Sequence, residues 1–177
     1  MATQTDYSWA AGFFDGEGCV SLSLRKHKYA ALVIKMAQKD RVPLEKFKAI
    51  FELETEIGTT YRNGVPYYEL VICSKVAATV LTLMLPYLSL KAPVAKIGLD
   101  LQATIDKYSF ADRSKGIPSH EMEYRTSLVK QAHWYNSGRW AAAETKPEDA
   151  SNGEAIVRTA QMENVQSAAE MPVPSVH

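Results

Sequence analysis

Residues 10–18 read Ala-Ala-Gly-Phe-Phe-Asp-Gly-Glu-Gly, a run in which small residues surround two aromatic rings. The residues before this run favour a helix over residues 6–16, because Thr5 or Asp6 can accept hydrogen bonds from N–H groups of its first turn. The glycines that close the run are typical of a helix end. The sequence therefore predicts a helix that stops just before the next element begins.

Gly12 and Gly16 are four residues apart, so they lie on one helix face that carries no side chains. A second helix can approach such a face closely. Glu17 follows at the helix end, where its carboxylate would project beneath the next strand. Two copies packed about a two-fold axis would bring two carboxylates together, and hard oxygen ligands suit Mg²⁺. The glycines alone are equally typical of an ordinary helix end that turns into a strand.

Beyond this helix the chain reads as two β-hairpins. Cys19–Leu24 alternates apolar and polar residues, which predicts a half-buried strand, and Tyr29–Met36 is a second strand-like run. Residues 56–61 and 65–72 flank an Asn-Gly pair, which is suited to a tight hairpin turn. The two hairpins predict one antiparallel sheet.

Several helices accompany these hairpins. Asp40 is expected to cap one with Pro43 in its first turn, and Ser74 is expected to cap another. Further helices are expected at about 93–108 and 119–135. The order is α-β-β-α-β-β-α followed by extra helices, so the predicted fold class is α+β, with the helices on one face of the sheet.

The composition, 46% hydrophobic and 23% charged, fits one compact domain, which we assign to residues 1–140. Residues 141–177 lack sustained periodicity and are predicted to form an acidic, mostly disordered tail with one short helix near 153–163. The net charge of zero hides a gradient, because 18 Lys and Arg oppose 14 Asp and Glu before the tail, and 2 oppose 6 within it. The segment 19–41 contains a single acid among its basic residues, which favours a phosphate-binding surface.

Other classes of protein are disfavoured. No run of about 18 apolar residues suggests a membrane span. The N-terminus lacks a basic region followed by an apolar run, so secretion is not expected. Cys19 and Cys73 stand far apart and are interpreted as buried thiols in a reducing compartment. The expected location is the cytoplasm, for a bacterial or phage-encoded protein, or the organelle that encodes the chain.

The run Gly12–Gly18 reads Gly-Phe-Phe-Asp-Gly-Glu-Gly and resembles the LAGLIDADG motif of homing endonucleases. The resemblance covers about residues 7–108, and the motif occurs once, as in the single-motif, homodimeric type. It implies the αββαββα fold, with a saddle-shaped antiparallel sheet and helices on one face. It also implies a dimer interface formed by Ala11, Gly12, Asp15 and Gly16.

The resemblance implies three catalytic residues, Glu17, Gln38 and Lys91. Glu17 and the backbone carbonyl of Gly16 would bind Mg²⁺, for which Mn²⁺ could substitute. Gln38, at the end of the second strand, would position the attacking water. Residues 86–91 read Pro-Tyr-Leu-Ser-Leu-Lys, similar to a family segment whose lysine reaches the cleavage site. Lys91 would therefore stabilise phosphate charge or perturb the attacking water.

The free face of the sheet would enter the major groove of DNA. Candidate DNA contacts are exposed strand positions and neighbouring basic residues. They are Ser21, Ser23, Arg25, His27, Lys28, Lys35, Lys39 and Arg41 around the first hairpin, and Thr59, Tyr61, Arg62, Tyr67 and Glu69 in the second. The sequence leaves open which of these contact bases and which contact phosphates.

The expected function is that of a site-specific homing endonuclease. It would hydrolyse both strands of a long, pseudo-palindromic double-stranded DNA site with Mg²⁺ and leave short 3′ overhangs. Its partners would be DNA and a second copy of the chain, with no membrane. Two alternatives keep the same fold: an RNA-splicing maturase, which would bind RNA, and a non-catalytic DNA-binding protein.

Overall fold

The computed structural model describes residues 2–25, 29–108 and 116–137, and only the backbone of Arg25 and Arg62. These residues belong to one compact unit. The domain boundary expected at residue 140, the acidic tail and its short helix lie outside the described residues.

The described elements follow the predicted order. They are α1 (Gln4–Glu17), β1 (Gly18–Arg25), β2 (Tyr29–Gln38), α2 (Val42–Ile50), β3 (Gly58–Arg62), β4 (Val65–Cys73), α3 (Ser74–Met84), a 3₁₀ turn (Leu85–Tyr87), α4 (Ala92–Lys107) and α5 (Ser119–Asn136). The hairpin turn between β3 and β4 has positive φ at both residues, 51° at Asn63 and 77° at Gly64. Asparagine and glycine tolerate this conformation best, so the Asn-Gly pair joins the two strands as predicted.

Helix α1 begins earlier than the sequence suggested. Thr3, rather than Thr5 or Asp6, is its N-cap, because the Thr3 hydroxyl accepts the Asp6 N–H at 3.2 Å. The Asp6 carboxylate in turn accepts the backbone N–H of Thr3 at 2.8 Å, which completes a capping box. The Asp6 carboxylate accepts hydrogen bonds from the Thr3 backbone N–H and from the Thr3 hydroxyl, and these bonds, the backbone one foremost, hold the pKa of Asp6 below its usual value.

Of the other two predicted N-terminal caps, Asp40 is confirmed and Ser74 is not. Asp40 Oδ1 accepts the N–H of Val42 at 2.9 Å, so it satisfies a first-turn donor of α2 as predicted, although Arg41 holds the N-cap position. Ser74 does not cap α3, and that prediction was wrong. Strand β4 runs directly into the helix, so Cys73 is the N-cap and Ser74 is already the first helical residue, with φ of 55°.

The four strands form one antiparallel sheet in the order β1-β2-β4-β3. Paired residues share a face, and the register pairs even-numbered residues of β1, β2 and β4 with each other. Seven apolar side chains at even positions are at most 1% exposed: Val20, Leu22, Leu32, Ile34, Met36, Leu70 and Ile72. No odd-numbered residue of these three strands with a described side chain is buried. The helices therefore cover one face and leave the other open, and the α+β prediction is confirmed.

The covered face contacts α1 to α5 through large side chains, including Phe14, Phe47 and Leu101, which are 0% exposed. Each such burial stabilises the fold by about 1.5–3 kcal/mol. Helix α4 lies close to the sheet at Gly98, where an added Cβ would meet Leu32 Cδ1 at 2.9 Å. The two cysteines are free, but the prediction that they are buried was wrong. Both occupy odd positions of their strands and therefore lie on the open face.

Candidate active site

The C-terminal half of α1 has a covered side and an open side. Ala10, Ala11 and Phe14 are 0% exposed and pack inward, whereas Gly12 and Gly16 are exposed. Ala11 has no accessible surface within its own chain, which argues against its predicted place at a dimer interface. The open side of α1 is therefore centred on the two glycines.

Packing within one chain does not explain these glycines. An added Cβ at Gly12 or Gly16 would meet no atom within 4 Å. Gly18 is different, because a Cβ there would lie 2.2 Å from Phe14 Cδ2 in the core. Gly18 is thus required by the fold itself, and Gly12 and Gly16 leave a bare surface on which another helix could lie.

Aromatic side chains, which the sequence reasoning missed, border this surface. Trp9 and Phe13 stack with their ring centroids 5.4 Å apart and their planes within 8°. Lys46 Nζ, from α2, lies 4.0 Å from the centroid of the Trp9 ring. The sequence carried this signal, because Trp9 lies three residues before Gly12 and Phe13 three residues before Gly16, and residues at that spacing are neighbours on a helix surface.

Glu17 is the last residue of α1 and is exposed. The ion pairs found among the described residues do not include it. The last turn of α1 contains no basic residue, although the negative end of a helix dipole favours a cation there. An exposed carboxylate at this position is a fitting ligand for a hard cation.

Asp15 joins the end of α1 to the segment that precedes α4. Its carboxylate accepts the backbone N–H of Ser89 at 2.7 Å through Oδ2 and that of Lys91 at 2.8 Å through Oδ1. The Lys91 ammonium also donates to the Asp15 carbonyl oxygen. The structure thus brings Lys91 to the last turn of α1 and gives Asp15, predicted at the dimer interface, a role within the chain.

Gln38 is the last residue of β2 and is half-buried. The register places Gly18 opposite Met36, so the chain entering β1 from Glu17 runs beside the last residues of β2. Gln38 is an even-numbered residue of β2, so it lies on the face of the sheet that the helices cover. The three predicted catalytic residues therefore belong to segments that meet at the same end of the sheet.

Five of the predicted DNA contacts lie on the open face: Ser21, Ser23, Lys35, Tyr67 and Glu69. Lys35 Nζ lies 3.6 Å from Glu69 Oε1. Strands β1 and β2 contain no acidic residue, but the neighbouring strand β4 contributes Glu69. The centre of the open face is therefore less basic than the sequence suggested.

Thr59 and Tyr61 were assigned to the wrong face. Thr59 pairs with Tyr68 and Tyr61 with Pro66, which are even positions of β4, so both point away from Glu69. Thr60, opposite Tyr67, lies on the open face instead. The two-residue Asn-Gly turn fixes which residues of β3 and β4 are paired. The face on which Thr59 and Tyr61 lie could therefore have been predicted from the sequence.

The remaining candidates lie at strand ends. Lys39 is exposed, with Nζ 5.8 Å from the centroid of the Tyr67 ring, so it borders the open face. Arg41 Nε pairs with Glu45 Oε1 at 2.7 Å. The backbones of Arg25 and Arg62 end β1 and β3. His27 and Lys28 lie outside the described residues.

Within residues 2–25, 29–108 and 116–137, no group of three or more His, Cys, Asp or Glu side chains could hold a metal ion. At the end of α1, the Asp15 carboxylate accepts two backbone N–H groups, whereas the Glu17 carboxylate is exposed. None of the described helices is long and apolar enough to cross a membrane.

Comparison with known families decides the identity of this chain. The LAGLIDADG endonuclease family matches residues 10–100, which is more than half of the sequence. The chain belongs to this family. LAGLIDADG endonucleases act on DNA, so the chain is a DNA-binding endonuclease of the homing type, and the resemblance seen in the motif is confirmed.

Solved LAGLIDADG structures share its fold. The homing endonuclease I-CvuI, in complex with its target, is 19% identical, with a TM-score of 0.58 over 81% of this chain and 85% of that one. The archaeal intron-encoded I-Vdi141I, complexed with DNA, is 12% identical, with a TM-score of 0.58 over 81% and 88%. I-LtrWI, bound to target DNA, is 15% identical, with a TM-score of 0.55 over 84% of this chain and 48% of that one. Comparison with curated protein sequences gives no match.

Proposed function

We propose that this LAGLIDADG endonuclease works as a homodimer that cuts both strands of a long, pseudo-palindromic DNA site in a Mg²⁺-dependent reaction and leaves short 3′ overhangs. Each chain contributes one carboxylate, Glu17, and each active site serves one strand. A two-fold dimer reads two similar half-sites in opposite orientations. We place the reaction in the bacterial cytoplasm or in the organelle that encodes the chain.

One observation carries this proposal: the exposed surface of Gly12 and Gly16 ends at the exposed carboxylate of Glu17. Two such surfaces in contact bring the C-terminal ends of two α1 helices together. The two carboxylates then repel each other unless cations lie between them. The surface that suits a second helix thus ends at the residue that suits a metal ion.

Mg²⁺, when bound, supplies an activated water and stabilises charge on the scissile phosphate and leaving oxygen. Glu17 and the carbonyl of Gly16 are the ligands that we assign to it. Lys91 places a positive charge at the last turn of α1, where it can stabilise charge on the phosphate. Gln38 carries an amide at the adjacent end of β2, with both a donor and an acceptor for positioning a water molecule.

Two structures of a relative of the same fold support the use of divalent cations with DNA. I-CvuI was solved with its target in the presence of Ca, and with a second target in the presence of Mg, where the DNA was not cleaved. Calcium and magnesium both prefer oxygen ligands, which matches a site made of a carboxylate and a carbonyl.

The test uses the purified full chain and a supercoiled plasmid library that carries randomised double-stranded inserts, with Mg²⁺, Mn²⁺ or EDTA. We expect linear plasmid with either metal and none with EDTA. Sequencing of the cut ends should give related, nearly palindromic inserts with short 3′ overhangs.

Each other outcome contradicts a definite part of the proposal. Tight binding of selected duplexes without cleavage in either metal would indicate a non-catalytic DNA-binding protein. Preference for a structured intron RNA over every duplex would indicate a maturase. Nicked circles alone would contradict cleavage of both strands.

A further inference from the structure

The open face of the sheet contains apolar side chains that the sequence reasoning did not assign. Val33 and Cys73 are paired across β2 and β4, and Val71 lies two residues before Cys73 on the same face. Ala31 precedes Val33 by two residues on β2. We call Ala31, Val33, Val71 and Cys73 the apolar strip; none of them is buried within the chain.

The described side chains around the apolar strip carry little net charge. Ser21 is paired with Val33 on one side, and the Lys35–Glu69 ion pair lies beside Val71 on the other. Binding of phosphates needs an excess of positive charge, which Ser21 and the Lys35–Glu69 pair do not offer. The strip is therefore suited to base edges, and phosphate contacts belong to other parts of the protein.

Only one base edge offers an apolar group of matching size in the major groove. Thymine presents its C5-methyl there, whereas the other bases present hydrogen-bond donors and acceptors. A β-branched valine on a strand holds two methyl groups at fixed positions, because its χ1 angle is restricted. Val33 and Val71 are thus rigid, apolar contacts that a thymine methyl can bury.

We propose that the apolar strip makes this endonuclease specific for A·T base pairs, with Val33 and Val71 contacting thymine methyl groups in each half-site. This inference rests on the proposed function, because it names the DNA that the open face reads. The strip extends along β2 from Ala31 to the level of Lys35, which is paired with Val71, and these four residue steps span about 13 Å. DNA rises about 3.4 Å per base pair, so this length corresponds to about four base pairs. The thymines should therefore cluster in one window of each half-site.

The experiment first selects a bound duplex from a randomised double-stranded DNA library with the wild-type chain. Each thymine of that duplex is then replaced singly by deoxyuridine, which removes only the methyl group. Equilibrium binding is measured in EDTA so that no strand is cut. We expect about fourfold weaker binding for each contacted methyl, at symmetric positions in the two half-sites.

Variants then identify the protein side of the contact. Val33→Thr and Val71→Thr keep the shape of valine but replace one methyl with a hydroxyl, and each should abolish the uridine penalty at its own thymine. Val42→Thr is the matched control, because Val42 is 65% exposed on α2 and lies outside the sheet. Binding by this variant should keep the full uridine penalty.

The possible failures are distinguishable. Tight binding and cleavage with no effect of deoxyuridine at any position would overturn the thymine inference and leave the endonuclease proposal intact. An unchanged uridine penalty in both valine variants would also overturn it. Failure to select any duplex would contradict the proposed function itself, and this inference with it.

Discussion

The side-chain ammonium of Lys91 donates a hydrogen bond to the backbone carbonyl oxygen of Asp15, which lies 76 residues earlier in the chain. The last carbonyls of a helix have no partner within the helix, and Lys91 supplies one from the segment before α4. The Asp15 carboxylate holds the same segment through two backbone N–H groups. These three hydrogen bonds hold the last turn of α1 against the segment from Ser89 to Lys91.

Lys91→Met should retain the aliphatic stem but lose both the charge and this hydrogen bond. We expect the cleavage rate to fall about 100-fold, the scale of one lost electrostatic contact to a transition state. The free energy of unfolding should fall by about 1 kcal/mol. Single-turnover cleavage and urea denaturation measure the two effects. Lys96→Met, at an exposed position of α4, is the control, and equal losses in both variants would contradict a specific role for Lys91.

Glu17→Gln should remove the charge at the end of α1 while keeping the size of the side chain. Cleavage should fall at least about 100-fold, because we propose this carboxylate as the metal ligand that each chain contributes. Affinity for duplex DNA should change little, since the open face is untouched. Glu123→Gln, at an exposed position of α5, should behave as wild type. Undiminished cleavage by Glu17→Gln would refute the metal role.

Gly12→Leu should prevent dimerisation without harming the chain itself. An added Cβ at Gly12 meets no atom of the same chain, so the variant should fold, but its side chain would separate two α1 helices in contact. Sedimentation velocity should show a monomer for the variant and a dimer for wild type. Ala49→Leu, at an exposed position of α2, enlarges the surface elsewhere and should remain dimeric. A dimeric Gly12→Leu would place the interface on another surface.

Gly18→Ala should destabilise the fold more than the same substitution at Gly58. The new Cβ would lie 2.2 Å from the buried ring of Phe14, so core atoms must shift. We expect the free energy of unfolding to fall by about 1–3 kcal/mol. Gly58→Ala, whose Cβ would lie 3.7 Å from the Glu69 carbonyl oxygen, should change it by no more than about 0.5 kcal/mol. Similar urea midpoints for the two variants would show that the core around Phe14 yields easily.

Asp100→Asn should stabilise the protein at neutral pH. Burial raises the pKa of Asp100 above its ordinary value of 3.8 because the charged form is poorly solvated. The folded state therefore binds more protons than the unfolded state, and this group's contribution to stability falls as pH rises from 3.8 through the folded pKa. Denaturation of both proteins across this range should show the variant's advantage growing with pH. A constant difference would contradict the raised pKa.

The sequence by itself determined the local structure of α1 and of the hairpin between β3 and β4. Alternating residues predicted the first strand, and the Asn63-Gly64 pair predicted the turn between β3 and β4. The glycine-rich run predicted a helix end at Gly16, one residue before the observed end at Glu17. These features depend on backbone preferences and periodicities within a few residues, so they can be recognised without knowing the rest of the fold.

Only the tertiary structure decided which distant residues meet. The placement of β2 next to β4 pairs Lys35 with Glu69, which reduces the net charge at the centre of the open face. The packing of the segment before α4 against α1 brings Lys91 to Asp15. The physical reason is that the order of strands and the approach of helices depend on how all the buried side chains fill one core together, and no short stretch of sequence contains that information.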